Sequence, residues 1–371
     1  MVIIDQACRY LCNEWGAVDF MKRRRPNFFI VGAPKCGTTA LYHALLDHPQ
    51  VFLPRSNRTS DYWIHKEPLH FCDDLGIAEW IRIQSEEDYL NLYDNAGDAI
   101  RIGDVSALYL FSESAACRIR AFCGDDVRIL ILLRPPIDWM RSWHHDCIRY
   151  AHEPLADFRL ALGAGPLRDR GYGLPDHCGF KGCLHYRRMA RFSESVARYY
   201  EHFGRERVRV ILMEDLLAEP ARILGEVTEF LGIDPAPFQV IGRQNDSASL
   251  SRTHVWEFRM GRKLRSLPLA SRLMDWFPRS AVQAYQRTVL HCFPPLSDKS
   301  IAPDLRSRLL REFIPEVRRL GELIGRDLSH WNSTGQAPQS PIPVVSHEAV
   351  QVPPGAETSS EGGAIGSPVS G

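Results

Sequence analysis

The stretch Phe28–Pro49, FFIVGAPKCGTTALYHALLDHP, decides how this chain folds. Phe28 to Val31 is continuously apolar and rich in β-formers, the pattern of a strand covered on both faces in a parallel sheet. Gly32 ends it, a tight turn follows, and Gly37-Thr38-Thr39 opens a helix. A turn of this shape aims backbone N–H groups and the positive end of a helix at one point, so a phosphate is the expected occupant. The residues Pro34, Lys35, Cys36, Gly37, Thr38 and Thr39 are therefore the first candidate binding site.

The loop is not that of a magnesium-dependent nucleotidase. In GxxxxGK[ST] the lysine follows the second glycine directly, whereas here Thr38 stands there and Lys35 comes two residues before Gly37. A second apolar run, Ile129 to Leu133, ends in Arg134 where a nucleotidase carries an Asp for its metal. A guanidinium at the carboxyl edge of a parallel sheet repels magnesium and binds a second phosphate bidentately. Ser142, eight residues after Arg134, reaches that same phosphate if it lies early on the helix that follows Pro135-Pro136.

Working outward, Arg101 to Val105 and Val208 to Leu212 read as two further strands, and helical patterns lie between the strands. Met189, Phe192, Val196, Tyr199 and Phe203 form one buried stripe, and Pro220 and Gly232 punctuate a helix over Ala221 to Leu231. Alternation of this kind predicts an α/β fold: a P-loop-like three-layer α/β/α arrangement with a central parallel sheet. Residues 253 to 330 read as an added C-terminal helical layer, with Pro315 opening a second segment in the run Leu305 to Ile324. Residues 1–26 are expected to form an N-terminal helical extension and 27–331 the main domain. From Asn332 the chain is Ser, Pro, Gly and Thr without a hydrophobic period, so 332–371 is expected to be a disordered tail.

Composition narrows the function. Of 371 residues, 44% are hydrophobic and 24% charged, ordinary globular usage. Lys plus Arg (45) balance Asp plus Glu (45), so no overall positive field attracts nucleic acid, and any phosphate site must be local. No uncharged apolar run approaches the length of about 20 residues that a membrane helix needs. With Asp5, Arg9 and Glu14 interrupting the apolar start, the expected location is cytoplasmic. The ten cysteines show no CxxC pair and read as small buried hydrophobes. His177, Cys178, Cys183 and His185 match no common structural zinc spacing, so no metal is expected.

At this point the sequence resembles the sulfotransferases that use 3′-phosphoadenosine 5′-phosphosulfate (PAPS). Pro34 to Thr39 is similar to their 5′-phosphosulfate loop, and Arg134 with Ser142 to their 3′-phosphate clamp. Looser matches are His48-Pro49, Lys66-Glu67-Pro68 with Phe71, Glu214-Asp215-Leu216, and Gly325-Arg326-Asp327-Leu328 ending near Trp331. Ala40-Leu41 after the threonines, with the KEP motif, is closer to carbohydrate-type and bacterial members than to the phenol and steroid enzymes. Three positions depart from the pattern: KEPLHF replaces KEPHFF, Met213 stands where a Tyr often holds adenine, and Val105 where glycosaminoglycan enzymes often carry a substrate-binding lysine.

The resemblance implies transfer of a sulfuryl group from PAPS as co-substrate, without metal, to an acceptor hydroxyl. In-line displacement at sulfur needs charge neutralised on the leaving phosphate and a base for the incoming hydroxyl. Lys35 is the cation for the first task and Glu67, positioned by Lys66 and restricted by Pro68, the base for the second. His65 and His70 are the next proton acceptors in line. The expected acceptor is a small molecule or glycan, with a glycan or glycolipid favoured, and the sequence assigns no oligomeric state. Two other readings stay open: an ATP-dependent phosphotransferase, and a non-catalytic scaffold that binds a bisphosphate nucleotide. Intact Lys35 and Glu67 speak against the scaffold, because binding alone requires no base.

Overall fold

The computed structural model describes residues 23–55, 66–150, 152–175, 178–235 and 301–333. Five strands form one parallel sheet: β1 (Phe28–Gly32), β2 (Val51–Phe52), β3 (Arg101–Asp104), β4 (Arg128–Leu133) and β5 (Val208–Leu212), in the order β2-β3-β1-β4-β5. The four strands expected from apolar runs are all present. The fifth, β2, is two residues long, too short for any periodicity to announce it.

Every residue of β1 and five of the six in β4 are buried, as expected of strands covered on both faces. Parallel crossovers are right-handed, so a connection stepping from β1 towards β2 and one stepping from β3 over β1 to β4 place their helices on opposite faces. The contacts agree. On one face lies α1 (Thr38–Leu46), and the chain beyond it meets the chain beyond α7 (Pro220–Leu231), where the His48 ring bonds the Asp234 carbonyl at 2.9 Å. On the other face lie α2 (Glu86–Asn91), α3 (Ala115–Cys123), α4 (Pro136–Arg149) and α5 (Phe192–Phe203). Tyr89 of α2 meets Phe122 of α3 edge-on at 5.8 Å, and Trp139 of α4 meets Phe192 of α5 at 5.5 Å. The short α6 (Met213–Ala218) follows β5 directly.

The C-terminal helical layer is represented by α8 (Pro303–Ile324), packed on α4 and α5. Its Glu316 accepts hydrogen bonds from the Ser193 amide and hydroxyl, at 2.7 and 2.9 Å, and so caps the start of α5. Its Arg306 pairs with Asp138 of α4 at 2.9 Å. Pro315 does not open a second segment: the helix runs through it. A proline inside a helix costs about 3 kcal/mol. Leu309, Phe313, Val317 and Leu320, buried on both sides of it, offset that, since each contributes about 1.5–3 kcal/mol on burial. Of the helical extension expected over 1–26, residues 23–26 are described and are not helical, because they run straight into β1; the rest of it, residues 253–300 of the expected helical layer and the tail beyond 333 lie outside the described residues.

The sheet order places the switch of winding direction at β1. Ligands of open α/β sheets bind beyond the carboxyl ends of the strands at such a point, and the loop after β1 stands there.

Candidate functional site

The loop from Ala33 to Gly37 is fixed from three sides. The Ala33 amide donates to the Leu132 carbonyl at 2.6 Å, the Trp139 indole N–H to the Pro34 carbonyl at 2.8 Å, and Arg134 Nη1 to the Lys35 carbonyl at 3.3 Å. Gly32 is required by close approach: a Cβ there would sit 2.6 Å from Leu110 Cβ and 2.7 Å from the Ala107 carbonyl oxygen. Gly37 is required by its φ of 96°, which only glycine adopts without strain. The Gly37 position supplies no side-chain cap and the first turn of α1 holds no acidic residue, so no side chain of this turn competes with an anion for the N-terminal amides of the helix. Thr38 is buried and Thr39 half-buried at this end. Burial pushes the Cys36 thiol up to about 12, against the pull of Arg134, so Cys36 packs as a neutral group.

Arg134 lies just past β4, and its Nε is buried without a hydrogen-bond partner. A buried guanidinium N–H beside a phosphate-type loop is able to take an anionic acceptor. Ser142 lies on the second turn of α4, one turn later than the reading of an early helical position implied. Trp139, Ser142 and Asp146 recur at helical spacing on one face of α4. The first touches Pro34 and the last touches Lys35, so Ser142 between them sits on the loop side. The sequence reading passed over Asp146, whose Oδ1 is 3.0 Å from Lys35 Nζ, both side chains being largely shielded from water. Its signal was the position one turn beyond Ser142.

The Lys66-Glu67 pair is joined to the loop through a buried cation. Lys66 Nζ, with a side chain 1% exposed, donates to Thr39 Oγ1 at 3.1 Å and to Glu67 Oε1 at 3.0 Å, and lies over the Tyr42 ring at 5.9 Å. Glu67 is thus a half-buried, anchored carboxylate and not a solvated loop residue. Tyr150, beyond α4, is pushed up to about 12 by burial, with the Asp146 and Glu67 charges adding to the rise.

Behind Glu67 stands Asp104 at the end of β3, a residue to which the sequence assigns no role. It is 1% exposed and accepts from Ser106 Oγ at 2.7 Å, Tyr89 Oη at 2.7 Å and Tyr109 Oη at 3.0 Å. Burial pushes its carboxyl up to about 7, the three hydroxyls oppose the rise, and the Glu67 charge adds to it.

His70 is not poised as a replacement base. Its ring is buried, stacks on Tyr89 at 4.5 Å and bonds the Ile83 carbonyl through Nδ1 at 3.0 Å, and burial lowers it to about 4. His65 and residues 56–64 lie outside the described residues. Val105 is buried. The two loosely matching C-terminal stretches come together: Glu214 Oε1 accepts from the Trp331 indole at 2.5 Å, and Arg326 pairs with Asp215 at 3.0 Å. Among the described residues no group of three His, Cys, Asp or Glu is placed to hold a metal, and no helix is long and apolar enough to cross a membrane.

A family model for the sulfotransferase domain matches residues 25–253. The chain belongs to the sulfotransferase family. Among solved structures, the sulfotransferase from Alicyclobacillus acidocaldarius is 29% identical with a TM-score of 0.56, covering 84% of this chain and 100% of that one. Among curated relatives, the bifunctional heparan sulfate N-deacetylase/N-sulfotransferase 1 of Caenorhabditis briggsae is 24% identical over 225 residues, 59% of this chain and 24% of that protein. Carbohydrate sulfotransferase 15 of Homo sapiens is 35% identical over 85 residues, 23% of this chain and 14% of that protein. The sulfotransferase chain matches about a quarter of the length of its N-deacetylase/N-sulfotransferase relatives.

Proposed function

We propose that this sulfotransferase transfers the sulfuryl group of PAPS to a hydroxyl of a glycan or glycolipid and releases adenosine 3′,5′-bisphosphate. The observation that carries the reading is the pair of anion sites at neighbouring strand ends. One is the uncapped start of α1 after β1, and the other is Arg134 after β4, with Nε buried and without a partner. Two sites of this kind suit a nucleotide phosphorylated at both 5′ and 3′ positions, and a guanidinium in place of the magnesium Asp disfavours ATP.

The residues present fit such a donor. Pro34 to Thr39 would hold the 5′-phosphate end, with hydroxyl and amide donors from Thr38 and Thr39, and Arg134 with Ser142 would hold the 3′-phosphate. The donor supplies a sulfur bonded to a phosphate leaving group. Lys35, on exchanging Asp146 for the donor, stabilises the charge that grows on the departing oxygen. Glu67 takes the proton of the acceptor hydroxyl as its oxygen bonds to sulfur. The sulfur–oxygen bond to the phosphate breaks, its electron pair stays on the phosphate, and the proton ends on Glu67. We place this machinery in a domain over 27–331, with 332–371 outside it.

The test is incubation with PAPS labelled in the sulfuryl group and a panel of glycans, glycolipids, phenols and amino sugars. Label in a hydroxyl of a glycan or glycolipid supports the reading. Label confined to amines would move the acceptor to nitrogen, the chemistry printed in the names of the relatives, and label in no acceptor would overturn it.

A further inference from the structure

We propose that Asp104 is a positioning residue for Glu67: it fixes the two hydroxyls from which the backbone after Glu67 is hung. The inference rests on the reading of Glu67 as the base. Glu67 is followed by Pro68, by Leu69 at a φ of 52°, and by His70 and Phe71. A non-glycine residue in the left-handed region persists only where its surroundings hold it. Here the holding groups are on the page. The Leu69 amide donates to Ser106 Oγ at 3.2 Å, and the Phe71 amide donates to Tyr109 Oη at 3.4 Å.

A hydroxyl has one proton. Ser106 spends it on Asp104 Oδ1 and Tyr109 on Asp104 Oδ2, so each presents lone pairs, and not its proton, to the loop amide. Asp104 therefore sets the polarity of both links. Tyr89 donates to Oδ2 as well, which locks the carboxylate in place from α2. On the other side, Lys66 holds Glu67 to Thr39, so the base is gripped from α1 in front and from β3 behind. With an amide at position 104 one of the two acceptor oxygens becomes an NH2 donor, so at least one of the hydroxyls turns and the loop loses an anchor.

The experiment uses the full chain and two readouts, amide hydrogen exchange and release of adenosine 3′,5′-bisphosphate from PAPS with water as acceptor. Asp104→Asn should speed exchange of the Leu69 amide, the Phe71 amide or both by about tenfold or more and leave α1 protected. It should lower kcat by about tenfold and leave KM for PAPS unchanged, and in a Glu67→Gln background it should lower kcat no further. Should Asp104→Asn fail to fold, Ser106→Ala should expose Leu69 alone and Tyr109→Phe should expose Phe71 alone, a residue-specific pattern that general destabilisation does not produce. Unchanged exchange at both amides, or an equal loss of kcat with and without Glu67, would overturn the role of Asp104. A slow Asp104→Asn beside a Glu67→Gln of wild-type rate would instead overturn the reading of Glu67, and with it the positioning role. Loss of amide protection without any release of product by the wild type would show that the anchors exist but serve no transfer, which overturns both.

Discussion

In the proposed reaction Lys35 and Glu67 stand on opposite sides of the transfer, and their substitution should separate the two halves of the chemistry. Glu67→Gln keeps size and polarity and removes basicity, so turnover should fall by about 10² or more while PAPS affinity persists. Lys35→Ala should lose turnover through the leaving group. An acceptor with a more acidic hydroxyl should relieve Glu67→Gln and leave Lys35→Ala slow, and equal relief of both would contradict the assignment. Asp104 adds a pH signature. Its folded carboxyl titrates near 7 against an ordinary 3.8, so between those values the folded protein binds more protons than the unfolded one. Stability from this group is then present at low pH and lost as pH rises through the window, by at most about 1.4 kcal/mol per unit. The melting temperature of wild type minus that of Asp104→Asn should fall from pH 5 to pH 8, and a flat difference would show that Asp104 is not buried as described.

At the scale of elements, β1, the loop and α1 were legible because their signal is local. A continuous apolar run, a glycine at each end of the turn and two threonines need no distant partner to be read. Arg134 was legible for the same reason, as the residue at the end of an apolar strand. Asp146, Trp139 and Asp104 were not, since their meaning lies in contacts with Lys35, Pro34 and the Leu69 loop that span 111, 105 and, through Ser106, 37 residues of chain. Pro315 misled because propensity was weighed without the two helices that α8 packs against. The 3′-phosphate clamp proposed for the end of β4 and α4 makes a prediction of its own. Arg134→Ala should weaken PAPS by about 2 kcal/mol, the scale of a charge-assisted phosphate contact, and should affect adenosine 5′-phosphosulfate, which lacks the 3′-phosphate, much less. Titration calorimetry of the two ligands decides it, and an equal loss for both would mean that Arg134 serves the loop through the Lys35 carbonyl alone.

For the whole molecule, the parallel sheet brings the two proposed anion sites to one edge, and α8 with Trp331 ties the C-terminal layer to α4, α5 and α6 around them. The central claim is that this edge was built for a nucleotide carrying phosphate at both 5′ and 3′ positions. Thermal unfolding in the presence of adenosine 3′,5′-bisphosphate without magnesium, against ATP with magnesium at equal concentration, tests it most directly. A ligand at a hundredfold its Kd stabilises the folded state by about 2.7 kcal/mol. The account predicts a rise of several degrees with the bisphosphate and little with magnesium-ATP; greater stabilisation by magnesium-ATP would contradict it.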